Sequence, residues 1–280
     1  MEVIRQIEQL QQKLERIGEK SVGLIQTKGT LHQGHASLIR AARKENKILV
    51  VACLLLERER VNKESDTLDF RDQEESRALA SLAGADFFFC PSSECIYKEE
   101  SMTSIQIKNP LVTQLNGNYI DYANKLTTTA IMLNIIKPQR LYMSDKDLQM
   151  IQFTKALLKD FHYNCDLRVL PACRDENEMM ISTKNKYLKE DEKNQVVNLY
   201  KLLQKAQRAY QKGMISSRRI KWHIENELTN LYLCKLEFVE IVEPERLTSI
   251  ETITDEAIII LTVRVGKLVI SDYIILKRDR

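Results

Sequence analysis

The sequence predicts an α/β protein, a doubly wound, Rossmann-like parallel sheet followed by a smaller α+β unit. Three observations carry this. Apolar runs of strand length alternate with helix-period stretches from about residue 20 to 180. The runs are continuous, as in Leu49-Val50-Val51-Ala52-Cys53-Leu54, which is the pattern of central parallel strands covered on both faces. The first run, Val22-Gly23-Leu24-Ile25, passes through the turn Thr27-Lys28-Gly29-Thr30-Leu31-His32-Gln33-Gly34-His35 into the helix-period stretch Ala36–Ala42. In an open α/β sheet that order places the turn at the carboxyl end of a strand, where ligands bind.

Taken in order, residues 2–18 read as a helix with Val3, Ile4, Ile7, Leu10, Leu14 and Ile17 on one face. The first strand and its turn follow. The second strand, within Lys47–Leu56, runs into the charged stretch Glu57-Arg58-Glu59-Arg60 on the same sheet edge. Residues 71–83 read as a helix, and 85–91 as a buried strand stopped by Pro91. The segment 102–122 is poorly periodic, with a loop around Asn116-Gly117-Asn118. Thr127–Ile136 is a helix ended by Pro138. Arg140–Met143 is a short strand that delivers Ser144-Asp145-Lys146-Asp147, with Asp145 as a helix cap. Gln149–Phe161 is helical, and Cys165–Pro171 is a further strand. The pattern then changes: helices near 190–211 and 216–230 precede the apolar runs 238–242, 257–263 and 267–270. The domain boundary therefore falls near 178–182, dividing a ligand-binding domain, 1–180, from a C-terminal α+β lid domain, 181–280.

Composition narrows the function classes. With 44% apolar and 29% charged residues the chain buries a proper core, and a net charge of +3 gives no argument for nucleic acid or a membrane surface. The N-terminus lacks a hydrophobic signal core and no apolar run approaches a membrane span. The six cysteines form no CxxC pair and several lie within apolar runs, which predicts reduced thiols in a cytoplasmic protein.

Three short stretches carry chemistry. In the first turn, Gly29 allows a tight bend, Gly34 allows close approach to the helix start, and the first helical amides offer a phosphate site flanked by His32 and His35. A histidine pair is also compatible with a plain surface site or with metal ligation. His162 and His223 lie in unrelated helical contexts, which argues against a three-histidine metal site. In the second stretch, Lys146 can neutralise phosphate charge and Asp147 can contact a ribose hydroxyl or magnesium; an exposed ion pair at a helix start is the plainer alternative. In the third, Ser182-Thr183-Lys184 puts two hydroxyls and an ammonium on a boundary loop, suited to clamping a polyphosphate.

From about residue 20 onward the chain resembles the pantothenate synthetase (pantoate–β-alanine ligase) family of the HxGH nucleotidyltransferase superfamily. The resemblance rests on His32-Gln33-Gly34-His35, Lys146-Asp147, and Ser182-Thr183-Lys184 where the family has Ser-Ser-Arg. It implies an ATP-dependent, AMP-forming ligase: a small carboxylic acid is activated as an acyl-adenylate with loss of pyrophosphate and Mg²⁺ assistance, then coupled to an amine, β-alanine in the family. It implies a homodimer as well. By the same resemblance His32, His35, Lys146 and Lys184 are catalytic, while Thr27, Gly29, Gly34, Asp147, Ser182 and Thr183 hold ATP. Lys28, Glu59 and Met150 line the acid site.

The departures from the family are concentrated at the acid. Pro-Thr-Met-Gly reads Gln26-Thr27-Lys28-Gly29, and a pantoate-holding glutamine reads Glu59 after an asparagine that reads Leu56. Arg-Pro-Gly-His-Phe-Arg-Gly falls on Asn118–Asn124, and the second glutamine of the Lys-Asp motif reads Met150. Glu59 cannot donate a hydrogen bond and Met150 offers only soft apolar contact, so recognition of pantoate is expected to weaken. Lys28 is the cation available to offset Glu59. The alternative reading is a catalytically impaired homologue that acts as a nucleotide-binding or interaction protein.

Overall fold

The structure, a computed structural model, describes residues 1–18, 20–27, 30–54, 70–97, 102–108 and 119–277. These divide into two compact units that meet in sequence between Cys173 and Arg174. The division precedes the 180/181 position read from the sequence because residues 174–180 form a small hairpin, Arg174 bridging Met180, whose first residue pairs with Asp272 far along the chain.

The N-terminal unit is a six-stranded, all-parallel sheet. Its strands are β1 (Glu2–Ile4), β2 (Val22–Thr27), β3 (Ile48–Cys53), β4 (Phe87–Phe89), β5 (Arg140–Ser144) and β6 (Asp166–Leu170), in the spatial order β1-β4-β3-β2-β5-β6. The helices between them are α1 (Ile7–Ile17), α2 (Gln33–Glu45), α3 (Phe70–Ala83), α4 (Ser93–Ile96), α5 (Tyr119–Ile136) and α6 (Leu148–Asp160).

The continuous apolar strands resolve into two faces with period two. Leu24, Val50, Ala52, Phe89 and Leu141 join Leu10, Met132, Leu133 and Leu157 on one side of the sheet. Ile25, Leu49, Val51, Phe88 and Tyr142 join Leu38, Ile39, Ala80 and Ala83 on the other. Each fully buried Leu, Ile or Phe contributes on the order of 1.5–3 kcal/mol, so neither face stands without its helices. Gly23 is fixed by close approach, since a Cβ there would lie 2.7 Å from Asn46 Nδ2, the group that donates to the buried Tyr142 hydroxyl.

Two elements differ from the sequence reading. Residues 2–4 are an edge strand, not the first turn of a helix: Glu2, Val3 and Ile4 pair with Phe87, Phe88 and Phe89, and Ile4 is fully buried. The i, i+3 spacing of Val3 and Ile4 with later residues is real, but long-range pairing with a Phe-rich strand overrides it. Helix α5 begins at Tyr119, well before Thr127. Its three consecutive threonines are accommodated because each hydroxyl donates to the carbonyl four residues back, on Ala123, Asn124 and Lys125.

In the C-terminal unit, helices α7 (Glu190–Gln211) and α8 (Ser217–Leu228) cover one face of an antiparallel sheet. Its strands β7 (Cys234–Val242), β8 (Glu256–Val265) and β9 (Leu268–Lys277) lie in chain order. Glu190, Asp191 and Glu192 in the first turn of α7 complement its positive end. No helix among the described residues is long and apolar enough to cross a membrane. All six cysteines are thiols, though only Cys53 and Cys234 are buried.

Candidate active site

The strand order reverses direction between β2 and β5: chain growth runs outward through β3 and β4 on one side and through β6 on the other. Ligands of such sheets bind outside the carboxyl ends of the strands at this switch point. There β2 delivers Thr27 and the histidine turn, and β5 delivers Ser144-Asp145-Lys146-Asp147.

The histidine turn is held by a reciprocal cap. His32 is the N-cap of α2, and its Nδ1 accepts the Gly34 N–H at 3.1 Å. His35 Nδ1 accepts the His32 N–H at 3.2 Å. The arrangement is a capping box made of two imidazoles rather than a serine and a glutamate. With both Nδ1 atoms accepting, each neutral ring carries its proton on Nε2. His35 Nε2 lies 3.2 Å from the Oγ1 of buried Thr27, and the two rings stand 4.0 Å apart, tilted by 34°. The pKa of His35 is lowered to about 3, first by burial and then by its neighbours His32 and Lys146. His35 is therefore a neutral N–H donor at physiological pH.

This geometry revises two expectations. The Gly34 amide is engaged by the His32 ring, so the amide donor read as a phosphate contact is satisfied within the turn. Gly34 is required by that ring as well: a Cβ would lie 2.9 Å from His32 Cε1. From the opposite side the turn is anchored by Leu31, whose N–H donates to Ser76 Oγ of α3 at 2.9 Å and whose side chain is buried.

At the end of β5 it is Asp147, not Asp145, that caps the following helix, accepting the Met150 N–H at 3.0 Å. Asp145 instead ties the strand to the segment after β6, accepting the Ala172 N–H at 2.6 Å. Lys146 is exposed between them and close enough to His35 to lower its pKa.

Tyr122 and Lys125, which the poorly periodic sequence reading passed over, surround Asp147. The Tyr122 hydroxyl lies 3.1 Å from Asp147 Oδ1 and 2.8 Å from Gln149 Oε1. One phenolic proton cannot serve two acceptors. Donation to Asp147, with the Gln149 amide turned so that its NH₂ donates to the phenol, satisfies all three groups. Burial and the Asp147 charge push the Tyr122 pKa up, so the phenol keeps its proton. Lys125 Nζ lies 2.9 Å from Asp121, 3.9 Å from Asp147 and 4.8 Å from the Tyr122 ring centroid. The signal for this cluster was a tyrosine and a lysine three apart, visible as one helix face only once α5 starts at Tyr119.

Met150 is buried among Leu24, Leu133, Leu157 and their neighbours in the core. Lys28, Gly29, Leu56 and Glu59 lie outside the described residues. On the C-terminal unit, Ser182 caps a 3₁₀ turn, Thr183–Tyr187, and accepts the Lys184 N–H at 3.3 Å. Exposed Lys184 donates from Nζ to the Val269 carbonyl of β9 at 3.0 Å. Among the described residues no group of three or more His, Cys, Asp or Glu side chains is placed to hold a metal ion.

Comparison with known proteins identifies the family of the chain. The family model described as pantoate–β-alanine ligase matches residues 2–275. A pantothenate synthetase from Thermosipho melanesiensis is 31% identical over 280 residues, covering 98% of this chain and 99% of the relative. The crystal structure of pantothenate synthetase from Thermus thermophilus superposes with a TM-score of 0.87 at 25% identity, over 98% of this chain and 99% of that one. The fold is shared with a pantoate–β-alanine ligase from Francisella tularensis solved in complex with β,γ ATP and β-alanine, with a TM-score of 0.77 at 24% identity over 98% and 97% of the two chains. The protein belongs to the pantoate–β-alanine ligase family.

Proposed function

We propose that this ligase uses ATP to activate pantoate, or a closely related hydroxy acid, and couples it to β-alanine. The acid's carboxylate oxygen attacks the α-phosphorus, and the bond to the β-phosphate oxygen breaks to release pyrophosphate. The amine then attacks the acyl carbon, and AMP leaves with the bonding pair. The observation that carries the reading is the reciprocal imidazole cap at the carboxyl end of β2, in a chain matched by the family over nearly its whole length.

In this reading His32 and His35 act as neutral Nε2–H donors to phosphate oxygens, the His35 Nε2–H resting on Thr27 Oγ1 until the nucleotide arrives. Lys146 supplies positive charge beside them, and Thr27 with Gly29 and Gly34 shapes the nucleotide's bed. Asp147, oriented by Tyr122 and Lys125, holds the ribose. Ser182, Thr183 and Lys184 contribute further phosphate contacts. Mg²⁺ would accompany ATP and neutralise phosphate charge. Lys28, Glu59 and Met150 form the acid site in this reading. The thiol state of all six cysteines supports a cytoplasmic location, and the family resemblance supports a homodimer.

Radiolabelled pyrophosphate exchange into ATP, run over a panel of small hydroxy acids, tests this directly. Exchange that requires the acid, followed by AMP release that requires β-alanine, is the expected result. Nucleotide binding without exchange for any acid would establish the impaired-homologue alternative.

A further inference from the structure

Arg174 opens the C-terminal unit and forms a two-pronged pair with Asp272 of β9, Nη1 to Oδ2 at 2.9 Å and Nη2 to Oδ1 at 2.7 Å. The Asp272 side chain is only 8% exposed, far less than is usual for a carboxylate. The guanidinium lies 3.6 Å over the Tyr200 ring of α7, and Nη1 donates as well to the Glu178 carbonyl at 2.9 Å. The hairpin that Arg174 begins is closed by its bridge to Met180 and by Asp175, whose carboxylate accepts the N–H groups of Asn177 and Met179.

The Ser182-Thr183-Lys184 turn follows at once. Asn185 Nδ2 reaches back to the Met180 carbonyl at 2.9 Å, and Lys184 Nζ donates to Val269 of β9. Strand β9 thus supports this stretch at two points, through Asp272 to Arg174 before the turn and through Val269 to Lys184 within it. Apolar replacement of a buried ion pair is commonly neutral or stabilising. What the fork adds over an apolar contact is direction: it fixes both the position and the angle at which the hairpin leaves the sheet.

We propose that Arg174 and Asp272 are positioning residues for ATP, holding the 174–180 hairpin on β9 so that Ser182, Thr183 and Lys184 meet the triphosphate in one orientation. Neither touches substrate. The proposal rests on the reading that these three residues contact the triphosphate.

The test uses the full chain and four variants: R174M, R174M/D272L, R174K and K184M. Thermal midpoint, MgATP Kd by calorimetry and the pantoate KM in pyrophosphate exchange are measured for each. R174M strands a buried carboxylate and melts early. R174M/D272L regains the midpoint yet binds MgATP about 10-fold more weakly, with pantoate KM unchanged, because orientation is lost while the core is repaired. R174K, which keeps the charge but not the fork, falls between wild type and the double variant. Recovery of both midpoint and MgATP Kd in R174M/D272L overturns the proposal. If that variant does not fold, wild-type MgATP Kd in R174K overturns it. K184M separates the two ideas: unchanged MgATP affinity there defeats the phosphate-contact reading itself. Weakened affinity in K184M with wild-type affinity in R174M/D272L defeats the positioning role alone.

Discussion

At the carboxyl end of β2 the proposed phosphate groups are two half-buried imidazoles locked to one another; at the 182–187 turn two partly buried hydroxyls accompany one charged, exposed ammonium, Lys184, held by a β9 carbonyl. His32 and His35 satisfy each other's turn through two backbone amides, and the His35 pKa near 3 shows how firmly the surroundings keep that ring uncharged. Lys184 instead rests on a strand carbonyl in contact with solvent. The difference teaches where each set acts. Preorganised neutral donors need no reorganisation when charge develops, which favours the chemical step. An exposed ammonium attracts the triphosphate over distance but is screened by salt, which favours binding.

The largest expected effect comes from breaking the neutral set. His35→Ala should lower the adenylation rate about 10²- to 10³-fold, the usual loss for one preorganised donor, with circular dichroism and MgATP Kd close to wild type. A rate within a factor of two of wild type would remove His35 from the chemistry and end the contrast.

Next comes the charged set. Raising salt from 50 to 500 mM should weaken MgATP binding in the wild type, and K184M should start about 10-fold weaker and respond less steeply. His35→Ala should keep the wild-type slope. Equal slopes in all three proteins would show that Lys184 adds no charge-based attraction.

A third expected effect is on stability in acid rather than on turnover or binding. His35 takes its proton near pH 3 when folded but near 6.5 in the unfolded chain, so the unfolded state binds more protons between those values. The stability that this ring confers is complete above pH 6.5 and is lost as pH falls toward 3. Denaturant midpoints measured from pH 7 to 4 should decline more steeply in the wild type than in His35→Gln. Parallel declines would mean that the ring titrates normally in the fold.

Much of the candidate site was legible because its parts are local. His32 and His35 cap the helix they precede, so a strand, a glycine and two imidazoles three apart suffice to reveal them. Lys146 and Asp147 were visible for the same reason, following a strand that the pattern predicts, and Ser182–Lys184 by its residue types at the boundary where the pattern changes. Tyr122 was not visible, because its importance lies in meeting Asp147 across 25 positions of sequence. Asp145 looked like the helix cap since it, too, stands just before α6; only the Ala172 amide, delivered by β6, decides which aspartate is left to cap. Residues 2–4 fit a helical period, and no local signal reveals the exposed edge of β4 that draws them into a sheet.

The sequence by itself determined the alternation of strands and helices, the sheet edge that carries the candidate site, and the residue types offered there, since hydrophobic period and turn chemistry are written residue by residue. Tertiary structure decided the tautomers of the two histidines and the loss of charge on His35. It also chose the capping aspartate and the partner of Arg174. Those outcomes depend on burial and on groups brought from distant positions, and neither exists until the chain has closed on itself.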